Sequence, residues 1–328
     1  MRIGIVTPAF NAAPWIGDAL RSVLAQSHPD WQMVVVDDGS VDATAAVVAG
    51  FADARLHLIR QANAGVAAAR NRGVAAVAGD ALLFLDADDW LAPGTLARLD
   101  ATLAASADTV VAAACPAALV PADAWGVREI LRPPAGDLLE PLLERNLFAN
   151  GGHLLVRRTA VASAGGFRPD LAYGEDWALW VRLALLGRFA STGGAPGLFV
   201  RQRPGSACRQ LAHQPAAFAP CLDAIFGDPA LAARLGARLP ALRKRAEAER
   251  DWIVGRELIR HARPGGLAWL RRSVAAKPSA RRLALLAAAL VLPLLPSSRR
   301  GPFTPYESAA RLRAAVSQRA RRFWCTTA

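Results

Sequence analysis

The sequence predicts an α/β fold, a mainly parallel sheet flanked by helices and followed by a helical C-terminal extension. Three observations carry this. Short apolar, β-rich runs alternate with segments of helical period through residues 2–105. Three of those runs end in polar residues: Thr7-Pro8-Ala9-Phe10-Asn11, Asp37-Asp38-Gly39-Ser40 and Asp86-Ala87-Asp88-Asp89. From about residue 211 the alternation gives way to Arg-rich helical patterns.

Residues 2–7 (RIGIVT) form the first strand, ended by Pro8. Residues 11–27 carry Trp15, Ala19, Leu20, Val23 and Leu24 near helical spacing. A second strand, 31–36 (WQMVVV), opens onto Asp37-Asp38-Gly39-Ser40, and 42–51 continues as a helix from an Asp cap. A third strand, 55–60, leads to the Asn63-Ala64-Gly65 turn and an Ala-rich helix over 66–78. The apolar strand 81–85 then stops at Asp86, Asp88 and Asp89. A helix over 93–105 and a strand over 109–114 follow, and the Pro- and Ala-rich stretch 116–137 reads as an irregular insertion. Residues 137–148 read as helical and 153–157 as a short strand. Trp177, Leu179, Trp180, Leu183 and Leu186 mark an amphipathic helix with Glu175-Asp176 at its start. Right-handed crossovers between parallel strands bring the polar strand ends to one edge, where such sheets bind ligands.

The chain has 328 residues and is 53% apolar, enough for a large core and against global disorder. Its charge is uneven. Residues 1–200 hold 15 Lys+Arg against 20 Asp+Glu, and residues 201–328 hold 24 against 7. The basic half opens two partners, nucleic acid and an anionic membrane surface, beside plain Arg-rich composition. Cys115, Cys208, Cys221 and Cys325 show no CxxC spacing and read as reduced thiols. The N-terminus runs directly into a strand, and the expectation is a cytoplasmic protein. No Gly-rich dinucleotide or P-loop motif, HExxH or GxSxG elbow is present, which argues against dinucleotide, P-loop, zinc and serine hydrolase chemistry.

Carboxylates crowded at a strand end repel unless a cation sits among them, and oxygen-only donors suit Mg²⁺ or Mn²⁺. Taken alone, LFLDADDW is equally a polar turn with Asp89 capping the helix after Pro93. Glu175-Asp176 likewise reads either as acidic complement to a helix dipole or as a carboxylate held for general base work.

TPAFNAAPWIGDALRSVLAQSHPDWQMVVVDDGSVDAT, NAGVAAARNRGVAAVAGDALLFLDADDWL and GGFRPDLAYGEDWALWVRLA resemble the inverting glycosyltransferases of family 2, over roughly residues 1–205. The resemblance implies a GT-A fold, a mixed, mainly parallel sheet that binds a nucleotide-diphosphate sugar and a divalent cation, Mn²⁺ or Mg²⁺. Residues 1–210 would be this catalytic domain and 211–328 a basic, mostly helical region. By position, Pro8, Ala9, Phe10 and Asn11 would line the nucleotide pocket, with Asp38 toward the base and Asp37 near the ribose. Asn63 to Arg70 would close over the nucleotide, with Arg70 toward the base or diphosphate. Asp86, Ala87 and Asp88 correspond to the DXD motif, in which Asp88 would contact metal directly and Asp86 would serve ribose or a metal-bound water. Asp89 would support them. Asp176 matches the general base, with Glu175 orienting the acceptor. Phe10 stands where the family often has Tyr, and Arg203 where many members place His. Arg201 and Arg203 are candidates to neutralise diphosphate, a solvated loop being the other reading.

The implied partners are a nucleotide-sugar donor, a UDP-sugar foremost, and a glycan or lipid-linked acceptor, with no nucleic acid. Peripheral contact with the inner face of the plasma membrane is a further expectation for the basic region. The run 283–295 is shorter than the about 20 residues a membrane span needs and holds Pro293. It reads either as a buried helix of a C-terminal bundle, the favoured reading, or as an interfacial segment. Two alternatives to a sugar transferase are a sugar-phosphate nucleotidyltransferase and a catalytically inactive nucleotide-sugar or glycan binder. The first needs a basic Gly-rich loop that TPAFNAAPW lacks, and a pure binder has no use for Asp176.

Overall fold

Strand β1 (Ile3–Ala9) is buried along its whole length, which makes it a central strand covered on both faces. It pairs in parallel with β2 (Trp31–Asp37) on one side and β4 (Ala81–Phe84) on the other. Ile3 and Ile5 face one apolar layer with Ile16, Leu20 and Val23 of α1 (Ile16–Leu24) and Leu96, Leu99 and Leu103 of α4 (Thr95–Ala104). The opposite face takes α3 (Val66–Ala76), and at Gly73 the approach is so close that a Cβ would stand 2.3 Å from Val6 Cγ1. The computed structural model describes residues 1–121, 126–203, 215–261 and 263–291.

The sheet continues through β3 (Leu56–Arg60), β6 (Val110–Ala114), β9 (Leu154–Arg157) and β10 (Arg188–Ser191), in the order β10-β6-β9-β4-β1-β2-β3. Strands β1 to β4 run parallel, and β6 pairs in parallel with β10, while β9 runs antiparallel to both β4 and β6. The sheet is therefore mixed and mainly parallel. Helices α2 (Thr44–Ala49), α5 (Leu139–Glu144), α6 (Arg158–Ser163) and α7 (Glu175–Leu186) complete the layers.

Two expectations are corrected. The first strand does not stop at Pro8. The Val6 carbonyl accepts from Leu85 N on the β4 side and the Ala9 carbonyl accepts from Asp38 N on the β2 side. Strand alternation therefore turns the Pro8 nitrogen toward β4, past the final Val6–Phe84 pair, where no donor is needed. Nor is 116–137 wholly irregular. It supplies β7 (Ala117–Pro121) and β8 (Glu129–Leu131), which join β5 (Trp90–Leu91) and β11 (Leu198–Gln202) in a second sheet ordered β5-β11-β7-β8. Residues 122–125 of that stretch lie outside the described residues.

The described residues divide into two compact units, one of 1–121, 126–203 and 227–231 and the other of 215–226, 232–261 and 263–291. The C-terminal helices are α8 (Phe218–Phe226), α9 (Pro229–Leu235), α10 (Leu239–Arg260), α11 (Gly266–Ala276) and α12 (Ala280–Val291). Trp252, Leu270, Leu285, Ala288 and Ala289 form a separate apolar cluster there. Of the run 283–295, Leu285, Ala288 and Ala289 pack in this cluster while Leu283 and Leu290 are exposed, and residues 292–295 lie outside the described residues. Among the described residues no single helix is long and apolar enough to cross a membrane, although one bent pair reaches that length and composition.

Candidate active site

The carboxyl ends of β1, β2 and β4 lie side by side, so their polar termini share one edge. Hydrogen bonds join the first two. Asn11 N donates to Ser40 Oγ at 2.9 Å, and Val41 N donates to Asn11 Oδ1 at 3.0 Å. Asn11 has φ 48°, a left-handed conformation that Asn tolerates better than most residues. The Asp cap expected for the next helix is not formed: Ala43 is the N-cap of α2, and Asp42, one residue earlier, accepts from Thr44 N at 2.9 Å. Pro8 and Ala9 are buried in the end of β1, while the Phe10 ring is 53% exposed at the edge.

Asp37 and Asp38 are both buried. Asp37 accepts from Ser40 N at 2.9 Å and from Arg60 Nε at 3.2 Å. Asp38 has a task the sequence did not show. It accepts from Gln61 Nε2 at 2.8 Å and from the backbone nitrogens of Ala64 and Gly65 at 2.9 Å each, fixing the 61–65 loop. Gly39, at φ 81°, lets that loop approach, because a Cβ there would stand 2.8 Å from Asn63 N. Asn63 itself is exposed.

Arg70 extends from α3 beneath this edge and is buried. Its Nη2 donates to Asp86 Oδ1 at 2.9 Å and its Nη1 to Glu175 Oε1 at 2.7 Å. Burial alone would favour the neutral guanidine, but the carboxylates of Asp86, Glu175 and Asp176 outweigh it and raise the Arg70 pKa. One cation thus links the β4 terminus to the start of α7. Burial, reinforced by Glu175, pushes the neighbouring Asp176 carboxyl up to about 7, against the pull of Arg70. Asp176 accepts from Trp177 N at 2.5 Å and lies 3.5 Å from Asn146 Nδ2.

Asp88 and Asp89 take different partners. Asp88 is ion-paired with Arg203. Asp89 is buried and accepts from Asn150 Nδ2 at 2.5 Å and Arg201 N at 2.8 Å. Burial and mutual repulsion with Asp86 raise the pKa of Asp88, and burial with both neighbours raises that of Asp89 further. Ala87 is buried between these carboxylates. This hard oxygen set, strained by its own charge, fits a divalent cation in donor type. Among the described residues, however, no group of three or more His, Cys, Asp or Glu is arranged to hold a metal by itself. Asp86 and Asp88, both expected at a metal, are each engaged by an arginine.

The helix expected over 137–148 ends at Glu144, and the 146–153 segment that follows carries partners of the acidic edge that the sequence did not mark. In sequence it shows only Gly151-Gly152 ahead of the 153–157 strand. His153 is fully buried, and burial lowers its pKa to about 4, so it is neutral. Ala149 N donates to its Nε2 at 3.2 Å, which leaves Nδ1–H to donate to the Cys115 carbonyl at 3.0 Å. His153 thereby holds the loop that presents Asn146 to Asp176 and Asn150 to Asp89.

A mixed α/β sheet with helices on both faces and acidic residues along its carboxyl edge defines the GT-A class. Residues 4–164 match the profile of glycosyl transferase family 2 and form a domain of that family. The chain is 40% identical over 90 residues to the putative teichuronic acid biosynthesis glycosyltransferase TuaG of Bacillus subtilis, covering 26% of this chain and 36% of that one. Over 98 residues it is 42% identical to the succinoglycan biosynthesis protein ExoO of Rhizobium meliloti, covering 30% of this chain and 28% of that one. The chain thus spans about a third of the length of the curated relatives it matches. The mannosyltransferase PcManGT of Pyrobaculum calidifontis, solved with GDP-Man and Mn²⁺, has the same fold, with TM-score 0.57 at 24% identity over 97% of this chain and 86% of that one. Residues 1–349 of S. aureus TarS, solved with UDP-GlcNAc, give TM-score 0.53 at 16% identity over 85% of this chain and 90% of that one.

Proposed function

We propose that this protein is an inverting glycosyltransferase that moves a sugar from a nucleotide-diphosphate donor to an acceptor hydroxyl. The observation that carries the proposal is the Arg70 bridge, which joins Asp86 of the acidic strand end to Glu175, next to an Asp176 whose carboxyl is pushed up to about 7. A carboxylate with a pKa near neutrality is well matched to accept a proton at physiological pH. Asp176 takes the proton of the acceptor hydroxyl as that oxygen attacks the anomeric carbon, and the diphosphate leaves from the opposite face. The configuration inverts without a covalent enzyme intermediate. Glu175, fixed by Arg70, orients the acceptor beside the base.

Phe10, Asn11 and the 61–65 loop held by Asp38 flank the nucleotide, and Asp37 lies on the ribose side. Asp88, with Asp86 beside it, would hold a divalent cation that neutralises charge on the departing diphosphate. Among the described residues no group of three or more such ligands is arranged for a metal, and diphosphate oxygens would serve as further ligands. Mn²⁺ in the PcManGT structure supports this use of a cation.

UDP-GlcNAc and GDP-Man in the structural neighbours support a nucleotide-sugar donor, with UDP-sugars the first to test. The polysaccharide assignments of TuaG and ExoO support a role in cell-surface polysaccharide or glycolipid assembly. The acceptor would be a glycan or lipid-linked glycan at the cytoplasmic face of the membrane. There the Arg-rich C-terminal unit would meet the anionic surface. Thermal stabilisation by a panel of nucleotide sugars, each with and without Mn²⁺, tests the reading. One donor class raising Tm in a Mn²⁺-dependent way is the expected result, and no shift with any donor would reject it.

A further inference from the structure

Two arginines meet the acidic strand end, and they differ in kind. The Arg70 side chain is 5% exposed and anchored at both terminal nitrogens. Arg203 lies just beyond β11, and its side chain is 33% exposed. Its carboxylate partner is Asp88, and its guanidinium carbon stands 4.6 Å from the centre of the Trp15 ring. The backbone beside it is pinned independently, because Arg201 N binds Asp89 and Arg201 Nη2 binds Asp18 at 2.7 Å. The hold on β11 therefore does not depend on the Arg203–Asp88 pair.

We propose that Arg203 is a competing internal cation, held on Asp88 until a donor diphosphate draws it away, so that nucleotide and divalent cation bind cooperatively. The proposal rests on the nucleotide-sugar reading above. A guanidinium and a divalent cation repel strongly at one partly buried carboxylate, so the ion must displace Arg203 from Asp88. The planar guanidinium fork matches a phosphate in two-point geometry, and the diphosphate offers it a better partner than one carboxylate oxygen. Nucleotide thereby exposes Asp88 to the ion, and by linkage the ion strengthens nucleotide binding by the same factor. Without nucleotide, Arg203 keeps the carboxylate site closed to free metal.

The test is a calorimetric titration of Mn²⁺ into the wild-type chain, Arg203→Gln and Arg203→Lys, alone and with saturating UDP or GDP. For wild type, nucleotide is expected to tighten Mn²⁺ binding by about tenfold or more. Arg203→Gln is expected to bind Mn²⁺ several-fold tighter than wild type without nucleotide, with the nucleotide effect reduced to about twofold or less. Arg203→Lys keeps the positive charge and loses the fork, so it is expected to hold free Mn²⁺ off and still lose most of the nucleotide effect. The inference is overturned if Arg203→Gln binds Mn²⁺ no tighter than wild type without nucleotide, or keeps the full nucleotide effect. Wild type that binds neither UDP nor GDP with Mn²⁺ would overturn the functional reading, and this inference with it. An unchanged Tm for each variant establishes that the fold is intact.

Discussion

Arg70 and Glu175 are 105 residues apart in the chain and 2.7 Å apart in the fold. The other terminal nitrogen of Arg70 holds Asp86, so a buried cation on α3 aligns two acidic elements from different parts of the sequence. Its Nε finds no partner, so the geometry favours the two carboxylates over full satisfaction of the guanidinium.

Removing this cation should cost both stability and catalysis. Arg70→Met leaves two carboxylates unpaired near the core, and breaking a buried pair this way costs about 3–5 kcal/mol. Urea unfolding should show a fall of that order. Because Arg70 also draws the Asp176 pKa down, the surviving activity should titrate at higher pH than in wild type. A stability loss without a pH shift would limit Arg70 to a structural role.

The pH dependence of turnover follows from Asp176. As the base it must be ionised, and its pKa is pushed up to about 7 by burial and Glu175. kcat/KM should rise with pH through about 7 and level off above it. Glu175→Gln removes the repelling charge, so the midpoint should move down. A profile already flat from pH 5 to 8 would contradict the assignment.

Asp176 and His153 make opposite demands on stability. The folded-state pKa of Asp176 is raised from 3.8 to about 7, so its stabilisation is full below 3.8 and lost as pH rises through 7. The folded-state pKa of His153 is lowered from 6.5 to about 4, so its stabilisation is full above 6.5 and lost as pH falls through 4. Between about pH 4 and 6.5 the two slopes oppose each other. In urea midpoints across this window, Asp176→Asn should lose stability more steeply on acidification than wild type. His153→Gln should show the reverse slope.

Asn150 is expected to matter for the acidic edge without touching substrate. It donates to Asp89 and accepts from Gly152 N at 2.8 Å. Asn150→Ala strips a donor from a buried carboxylate, and about 1–3 kcal/mol of stability should be lost. The Asp89 pKa, already raised, should climb further, which infrared titration of the carboxyl band would detect.

The parallel core was legible because its strands are buried on both faces and carry continuous apolar runs such as MVVV at 33–36. β7 and β8 were not. AALVP and EIL are short; β7 finds its partner β11 about 80 residues further on and β8 pairs only with β7, which local pattern does not report. Asp86 and Asp88 could be singled out because carboxylates crowded at a strand end repel one another, whereas Glu175 and Asp176, ordinary at a helix start, stood out only through the family resemblance. The structure supplied their partners. The resemblance placed Arg70 toward the base or diphosphate, but nothing in its Ala-rich helix marks it as the bridge between Asp86 and Glu175, and His153 looks from sequence like any residue opening a strand. Asp38 was expected to face the donor base, and its engagement by Ala64 and Gly65 depends on a loop approach that only the fold reveals.

The most direct test of the transferase reading is release of nucleoside diphosphate from a nucleotide-sugar panel with Mn²⁺ and a membrane-extracted acceptor pool, wild type against Asp176→Asn. Wild type should release diphosphate from one donor class. Asp176→Asn should bind that donor as tightly and release it at least about a hundredfold more slowly. Release by Asp176→Asn at the wild-type rate would contradict the mechanism.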